Sequence, residues 1–267
     1  MRSVLVLAHG DSARLEATLA TAALAARRAD ARVDALHVRA DADLLAFYAG
    51  ETVPPGARLT RSAAFVVQGE AHARAAFDRL LGGESARATW RVESGSEAAI
   101  LAGLGRVADL VVIGRADGVA PESVKSALFE TGRPVLVAPP VAPATIGTRV
   151  AIAWNDSIQS ARAVGAAMHL VARPSEVRVL VAGPVATEGL LRYLACWGIA
   201  ATVEAIDPRS SSARARGRAL LQRAQGMEAD LLVMGAYGQG RMMQLLGLGG
   251  ATAKVITGNT MPLLLAH

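Results

Sequence analysis

The chain has almost no cysteine. Of its 267 residues only Cys196 carries a thiol, so no intramolecular disulfide can form and a reducing, cytoplasmic setting is expected. Cys196 sits in the apolar run Leu190 to Trp197, where a small buried hydrophobe is expected. Aromatic residues are also scarce, at 4% against 52% hydrophobic. The core must therefore be built from Ala, Val, Leu and Ile, side chains that suit helices packed closely on a parallel sheet. Lysine occurs only at Lys125 and Lys254, so the net charge of +5 is carried by arginine. These arginines are scattered, and the densest run (Arg214, Arg216, Arg218) falls at a predicted helix start. A nucleic-acid partner is not expected, because its binding would ask for one clustered basic face with interleaved aromatics. No apolar run approaches the roughly 20 residues of a membrane span. The first such run, Val4 to Ala8, meets His9-Gly10-Asp11 at once, too short for a signal peptide, and reads as a first strand. No membrane partner is expected. The apolar content excludes a disordered chain, and the length suits one large domain or two ordinary ones.

Catalytic constellations are equally sparse. The five histidines (His9, His37, His72, His169, His267) show no metal-ligand spacing and have no cysteine partner, which argues against zinc. Ser12 and Ser157 each follow an aspartate but lack the G-x-S-x-G elbow, and read as N-caps of the first helix of each half. Glu97, three residues after Ser94, reads as a capping box, not as one of a carboxylate pair. No catalytic residue and no metal ligand is assigned, and no enzyme is expected.

What the chain does have is an internal repeat. Val4-Leu-Val-Leu-Ala-His-Gly-Asp-Ser12 runs parallel to Arg149-Val-Ala-Ile-Ala-Trp-Asn-Asp-Ser157, and on that alignment His9 stands where Trp154 does. Ala108-Asp-Leu-Val-Val-Ile-Gly114 matches Ala229-Asp-Leu-Leu-Val-Met-Gly235 almost residue for residue. Each half closes on Thr-Gly, a proline and an apolar run: Thr131-Gly132 with Pro134 to Val137, and Thr257-Gly258 with Pro262 to Leu265. The first half is longer, and the extra stretch is assigned to Asp41–Val67, which contains Pro54-Pro55-Gly56 and reads as a long loop or helical excursion. The proline-rich segment Pro139 to Gly147 reads as a linker. Two domains are expected, 1–144 and 145–267.

In the second half, short apolar runs bounded by breakers predict strands at 149–154, 177–182, 201–206, 230–235 and 262–266. Stretches with apolar residues at three- and four-residue spacing predict helices at about 157–172, 185–198, 211–227 and 247–258. Strands alternating with helices imply a parallel sheet with right-handed crossovers. The fold class is α/β, with two tandem doubly wound, Rossmann-like sheets, one per half; a single undivided sheet would count against the duplication.

In such a sheet a ligand binds beyond the carboxyl ends of the strands, where strand order reverses. Two segments have the composition for this: Trp154-Asn155-Asp156-Ser157 after the first strand, and Gly235 to Thr252 after the fourth. Gly235 and Gly238 let backbone amides approach a ligand, and Gly249-Gly250-Ala251-Thr252 would open a helix whose free N–H groups favour phosphate.

This second segment resembles the glycine signature of the universal stress protein family: Gly, two residues, Gly, nine residues, then Gly and Ser or Thr. The likeness spans both halves, and "ALFETGRPVLV" at 127–137 and "GAYG" at 235–238 resemble tandem bacterial members. The departures are ten residues between Gly238 and Gly249, Gly250 in place of the hydroxyl residue, and Asn155 where the family has aspartate. A lost hydroxyl removes a bond to phosphate of about 1.5–3 kcal/mol, while backbone donors survive. The first half, Gly114-Arg-Ala-Asp-Gly118 onward, lacks the pattern, and Asp117 and Glu122 would repel a polyphosphate.

The resemblance implies a non-enzymatic stress-response protein that binds ATP or another adenine nucleotide, with Mg²⁺ accompanying it, in the second half. Asn155 and Val181 would lie near adenine, and Gly235, Gly238, Gly249, Gly250 and Thr252 near ribose and phosphates, with Ala153, Trp154, Met234 and Ala251 completing the nucleotide site. It also implies an intramolecular pseudo-dimer of the halves, and a homodimer through the last strand, which commonly pairs across a dimer in that family. Met242, Met243, Leu245, Leu246 and Leu248 read equally as an apolar lid or dimer contact and as core. A nucleotide-independent scaffold is the alternative function, and slow ATP hydrolysis ranks last.

Overall fold

Apolar residues at alternate and at three- to four-residue spacings set the elements of the computed structural model, which describes residues 1–9, 12–39, 55–84, 87–115, 122–171, 173–207, 212–236 and 251–267. The first half runs β1 (Ser3–Leu7), α1 (Ser12–Ala29), β2 (Arg32–Arg39), α2 (Pro55–Leu81), β3 (Ala88–Ser94), α3 (Glu97–Gly105), β4 (Leu110–Gly114), α4 (Glu122–Glu130) and β5 (Val135–Ala138). The second runs β6 (Arg149–Trp154), α5 (Ile158–Ala167), β7 (Glu176–Val181), α6 (Glu188–Cys196), β8 (Thr202–Ala205), α7 (Ala213–Gly226), β9 (Leu231–Gly235), α8 (Ala251–Gly258) and β10 (Leu263–Ala266).

The strands of the second half fall within a residue of expectation, and helices α5, α6 and α7 are shorter. Helix α5 stops at Ala167 because Ala167 O accepts from both Leu170 N and Val171 N, a turn that redirects the chain towards β7. Helix α6 ends before Gly198, whose φ of +70° breaks the ladder. Within Asp41–Val67, residues 55–67 belong to α2, with proline at the first helical position, where a missing N–H costs nothing; the earlier part lies outside the described residues. Further along α2, Ala73, Ala76, Phe77 and Leu81 are buried against the sheet.

The ten strands form one sheet in the order β3-β2-β1-β4-β5-β10-β9-β6-β7-β8. This corrects the expectation of a separate sheet in each half. Strands β5 and β10 pair antiparallel while every other ladder is parallel, so two doubly wound sheets are fused edge to edge. The strand order is symmetric about that junction. Leu136 pairs with Leu264, its own counterpart, and Val135 and Val137 pair with Leu265 and Leu263, as a two-fold relation requires. All six are fully buried, each contributing roughly 1.5–3 kcal/mol of transfer free energy. Strand β10 has both edges occupied, by β5 and β9. A homodimer through the last strand is therefore excluded, since a strand has only two hydrogen-bonding edges.

Two helix layers cover the sheet. Helices α1, α2, α5 and α6 bury their apolar faces in one continuous core, and α3, α4, α7 and α8 in the other. The halves also meet behind the sheet. Arg28 of α1 donates to Leu170 O and to Gly147 O, both at 3.1 Å. Gly147 has φ +74°, and a β-carbon there would stand 2.1 Å from Leu170 O, so this turn admits only glycine. No described helix is long and apolar enough to cross a membrane.

Candidate functional site

The repeated heptamer is explained by its aspartates. Asp109 accepts from Arg2 N at 2.5 Å and from Ser3 N at 3.1 Å. Asp230 accepts from Thr148 N and Arg149 N, both at 2.9 Å, and from the Thr145 hydroxyl at 2.6 Å. Each carboxylate therefore ties the fourth strand of its half to the start of the first. The amide of Arg2, with Ser3 beside it, holds the Asp109 carboxyl below its ordinary range. These groups sit at the amino rim and are structural.

The same ladders fix the correspondence between halves. Val4 pairs with Leu110 and Val150 with Leu231, so Val4 corresponds to Val150, one residue away from the alignment read off the sequence. Counting onward, His9 corresponds to Asn155, not Trp154, and position 11 corresponds to Ser157. Ser12 is accordingly the first residue of α1, inside the helix and not its N-cap. The cap of α3 is likewise Ser96, which accepts from Ala99 N, and not Ser94, the last residue of β3. Glu97 instead faces His9 at 3.1 Å. That hydrogen bond outweighs burial and raises the His9 pKa above its ordinary value.

Strand order reverses between β6 and β9: α5 leaves β6 into one helix layer, and α8 follows β9 in the other. The crevice of the second half lies beyond their carboxyl ends. Trp154, Asn155, Val181, Met234 and Gly235 come together at this rim, where Trp154 pairs with Val181 and Ala153 with Met234. The side chains of Trp154 and Val181 are buried in the α5–α6 core and those of Ala153 and Met234 in the α7–α8 core. These four residues offer a ligand backbone and a wall. The Trp154 indole N–H donates to Ala186 O at 2.8 Å, tying the segment after β7 to β6.

Asn155 is exposed at the rim, and its Oδ1 accepts from the Ser157 hydroxyl at 2.7 Å. Ser157 caps α5 reciprocally with Ser160. With its proton donated to Asn155 and its oxygen capping α5, Ser157 serves as a helix cap among the described residues. Asp156 adopts φ +55°, a conformation that aspartate tolerates.

Gly235 has a packing role: a β-carbon on it would stand 2.6 Å from Ser160 N and 2.8 Å from Gln159 C. The first turn of α5 thus lies directly on the end of β9. Gly238, Gly249, Gly250 and the methionines and leucines between them lie outside the described residues. The chain re-enters at α8, where Thr252 is buried and Ala251 packs against Gly217 of α7. Among the described residues no cluster of three or more His, Cys, Asp or Glu side chains could hold a metal.

Three features at this rim were not read from the sequence: Ala236, Arg162 and His267. No motif marks them, because β10 brings His267 to the end of β9 only after the sheet is assembled. Cys196 also departs from expectation. It is exposed on α6, whose narrow apolar face buries only Leu190 and Leu194. A depression of about 440 Å³ lined by Ser175, Arg178, Thr202 and Glu204 lies towards the opposite rim, away from this site.

No family model matches the chain, and no curated protein matches it. Solved structures do. A universal stress protein from Archaeoglobus fulgidus DSM 4304 superposes with a TM-score of 0.67 at 14% identity, covering 99% of this chain and 97% of that one. A protein of unknown function from Pseudomonas aeruginosa PAO1 gives 0.59 at 17% identity, covering 100% and 92%. At these identities the likeness is one of architecture, and over essentially its whole length the chain has the fold of the Archaeoglobus universal stress protein.

Proposed function

We propose that the chain is a stress-response protein of the universal stress type that binds an adenine nucleotide, ATP with Mg²⁺, at the carboxyl rim of its second half. Binding acts by stabilising one conformation, without rapid turnover. The observation that carries this reading is the strand-order reversal at β6 and β9 with Asn155 exposed beside it. The glycine-rich sequence that leaves this rim, and the fold shared with a universal stress protein, support it. Asn155 can offer a donor and an acceptor to a purine edge, and backbone amides serve the phosphates.

A second reading, a nucleotide-independent docking scaffold, is favoured by one observation: Ala153, Trp154, Val181 and Met234 are all buried, leaving Asn155 as the exposed polar side chain among the described residues predicted for the site. Denaturing the purified protein and chromatographing the supernatant separates the two readings. Stoichiometric adenine nucleotide, or a rise in melting temperature of about 5–10 °C with Mg-ATP at a hundredfold its Kd, is expected for a nucleotide protein. Gly238→Val should abolish that rise. No released nucleotide and no shift would leave the scaffold.

A further inference from the structure

The residue that follows β9 is gripped from both sides. Ala236 N donates to Ala266 O at 2.8 Å. Its carbonyl lies 3.1 Å from His267 Nδ1, and because a carbonyl can only accept, the ring proton sits on Nδ1. His267 is in turn fixed by two neighbours. Arg162 of α5 donates to its main-chain carbonyl at 2.8 Å, and the Phe129 ring meets the imidazole edge to face at 4.7 Å between centroids. Phe129 belongs to α4, in the half that lacks the glycine pattern.

We infer that Phe129 and His267 are positioning residues for the second half's rim: through the chain of contacts Phe129–His267–Ala236, the first half fixes the point at which the glycine-rich segment leaves the sheet. An imidazole that loses its aromatic neighbour samples other rotamers, and in most of them Nδ1 no longer reaches Ala236 O. Ordering of that exit is then left to be supplied by the ligand at the cost of affinity. The half whose sequence lacks the glycine signature thus contributes to the rim of the other; the ligand arm rests on the nucleotide reading above.

The test uses the full-length chain and three variants. His267→Ala removes the donor, and His267→Asn returns an amide N–H near the place of Nδ1. Phe129→Leu keeps apolar volume but removes the ring edge. Two quantities are read: the Kd for Mg-ATP, and amide hydrogen exchange of peptides covering Leu231–Ala236 without ligand. Exchange there should quicken in His267→Ala and Phe129→Leu and return to the wild-type rate in His267→Asn, with peptides from β1 and β2 unchanged. The Kd should rise about three- to tenfold in His267→Ala, the effect of one hydrogen bond, and recover in His267→Asn. Unchanged exchange in both His267→Ala and Phe129→Leu overturns the inference, as does failure of asparagine to rescue either readout. Wild-type protein that binds no Mg-ATP overturns the nucleotide reading alone, and the exchange result still decides the positioning role.

Discussion

Replacing Gly235 by alanine separates two reasons for a glycine at the end of β9. If the position serves only a ligand's approach, the ligand-free protein should tolerate a methyl group. The geometry points the other way. The new β-carbon would meet Ser160 N at 2.6 Å, Gln159 C at 2.8 Å and Gln159 Cβ at 2.9 Å, two of them backbone atoms in the capped first turn of α5. A flexible side chain could swing away, but a helix end held by its own capping box cannot. Overpacking of this kind costs about 1–3 kcal/mol, and the rigid partner argues for the upper part of that range. For a chain of this size the loss lowers the melting temperature by about 5–10 °C. Gly103→Ala is the control. It lies within α3, where a β-carbon meets nothing within 4 Å, and should be neutral or stabilising by up to about 1 kcal/mol. Differential scanning fluorimetry without nucleotide reads both. A Gly235→Ala protein that melts with the wild type would refute the packing argument and return the glycine to the ligand.

Other consequences follow from the pairs and corrections above. Asp109→Ala and Asp230→Ala should each destabilise by about 1.5–3 kcal/mol in urea titrations, because each strands amides bonded to a charged acceptor; a neutral result at either would break the equivalence of the two halves. The Asp109 carboxyl has a depressed folded pKa, so its contribution is present above the unfolded value near 3.8 and is lost as pH falls through the folded one. For the His9–Glu97 pair the sign reverses. With the His9 pKa raised, its contribution is complete below 6.5 and disappears as pH rises through the folded value. Glu97→Gln should flatten that part of the stability profile, and an unaltered profile would dissolve the pair. Cys196 should react with a maleimide in the native protein about as fast as in denatured protein; protection would contradict its exposure.

Much of the architecture was legible because it is local. The runs at 149–154 and 230–235 have the length and breakers of buried strands, and β6 and β9 occupy them within one residue. The helix ends were less legible, since Ala167 ends α5 through a turn whose partners, Leu170 and Val171, are buried by the assembled core. The candidate site divides the same way. Composition singled out Asn155 and Gly235, but nothing local told that Gly235 lies under α5, or that the aligned aspartates and serines were one residue out of register. That slip arose because Ala-x-x-Asp-Ser matches in letters, whereas the correspondence is set by hydrogen-bond ladders between residues 106 and 81 positions apart, Val4 with Leu110 and Val150 with Leu231.

By itself the sequence determined the alternation of strands and helices and singled out the two candidate binding segments, because periodicity and breakers act over a few residues. The tertiary structure alone decided that the two sheets are one, that β10 has no edge left for a second copy, and that Phe129 of the first half meets His267 at the rim of the second. Each of these depends on which strand lies beside which, a choice made by the burial of whole faces and carried by no short stretch of residues.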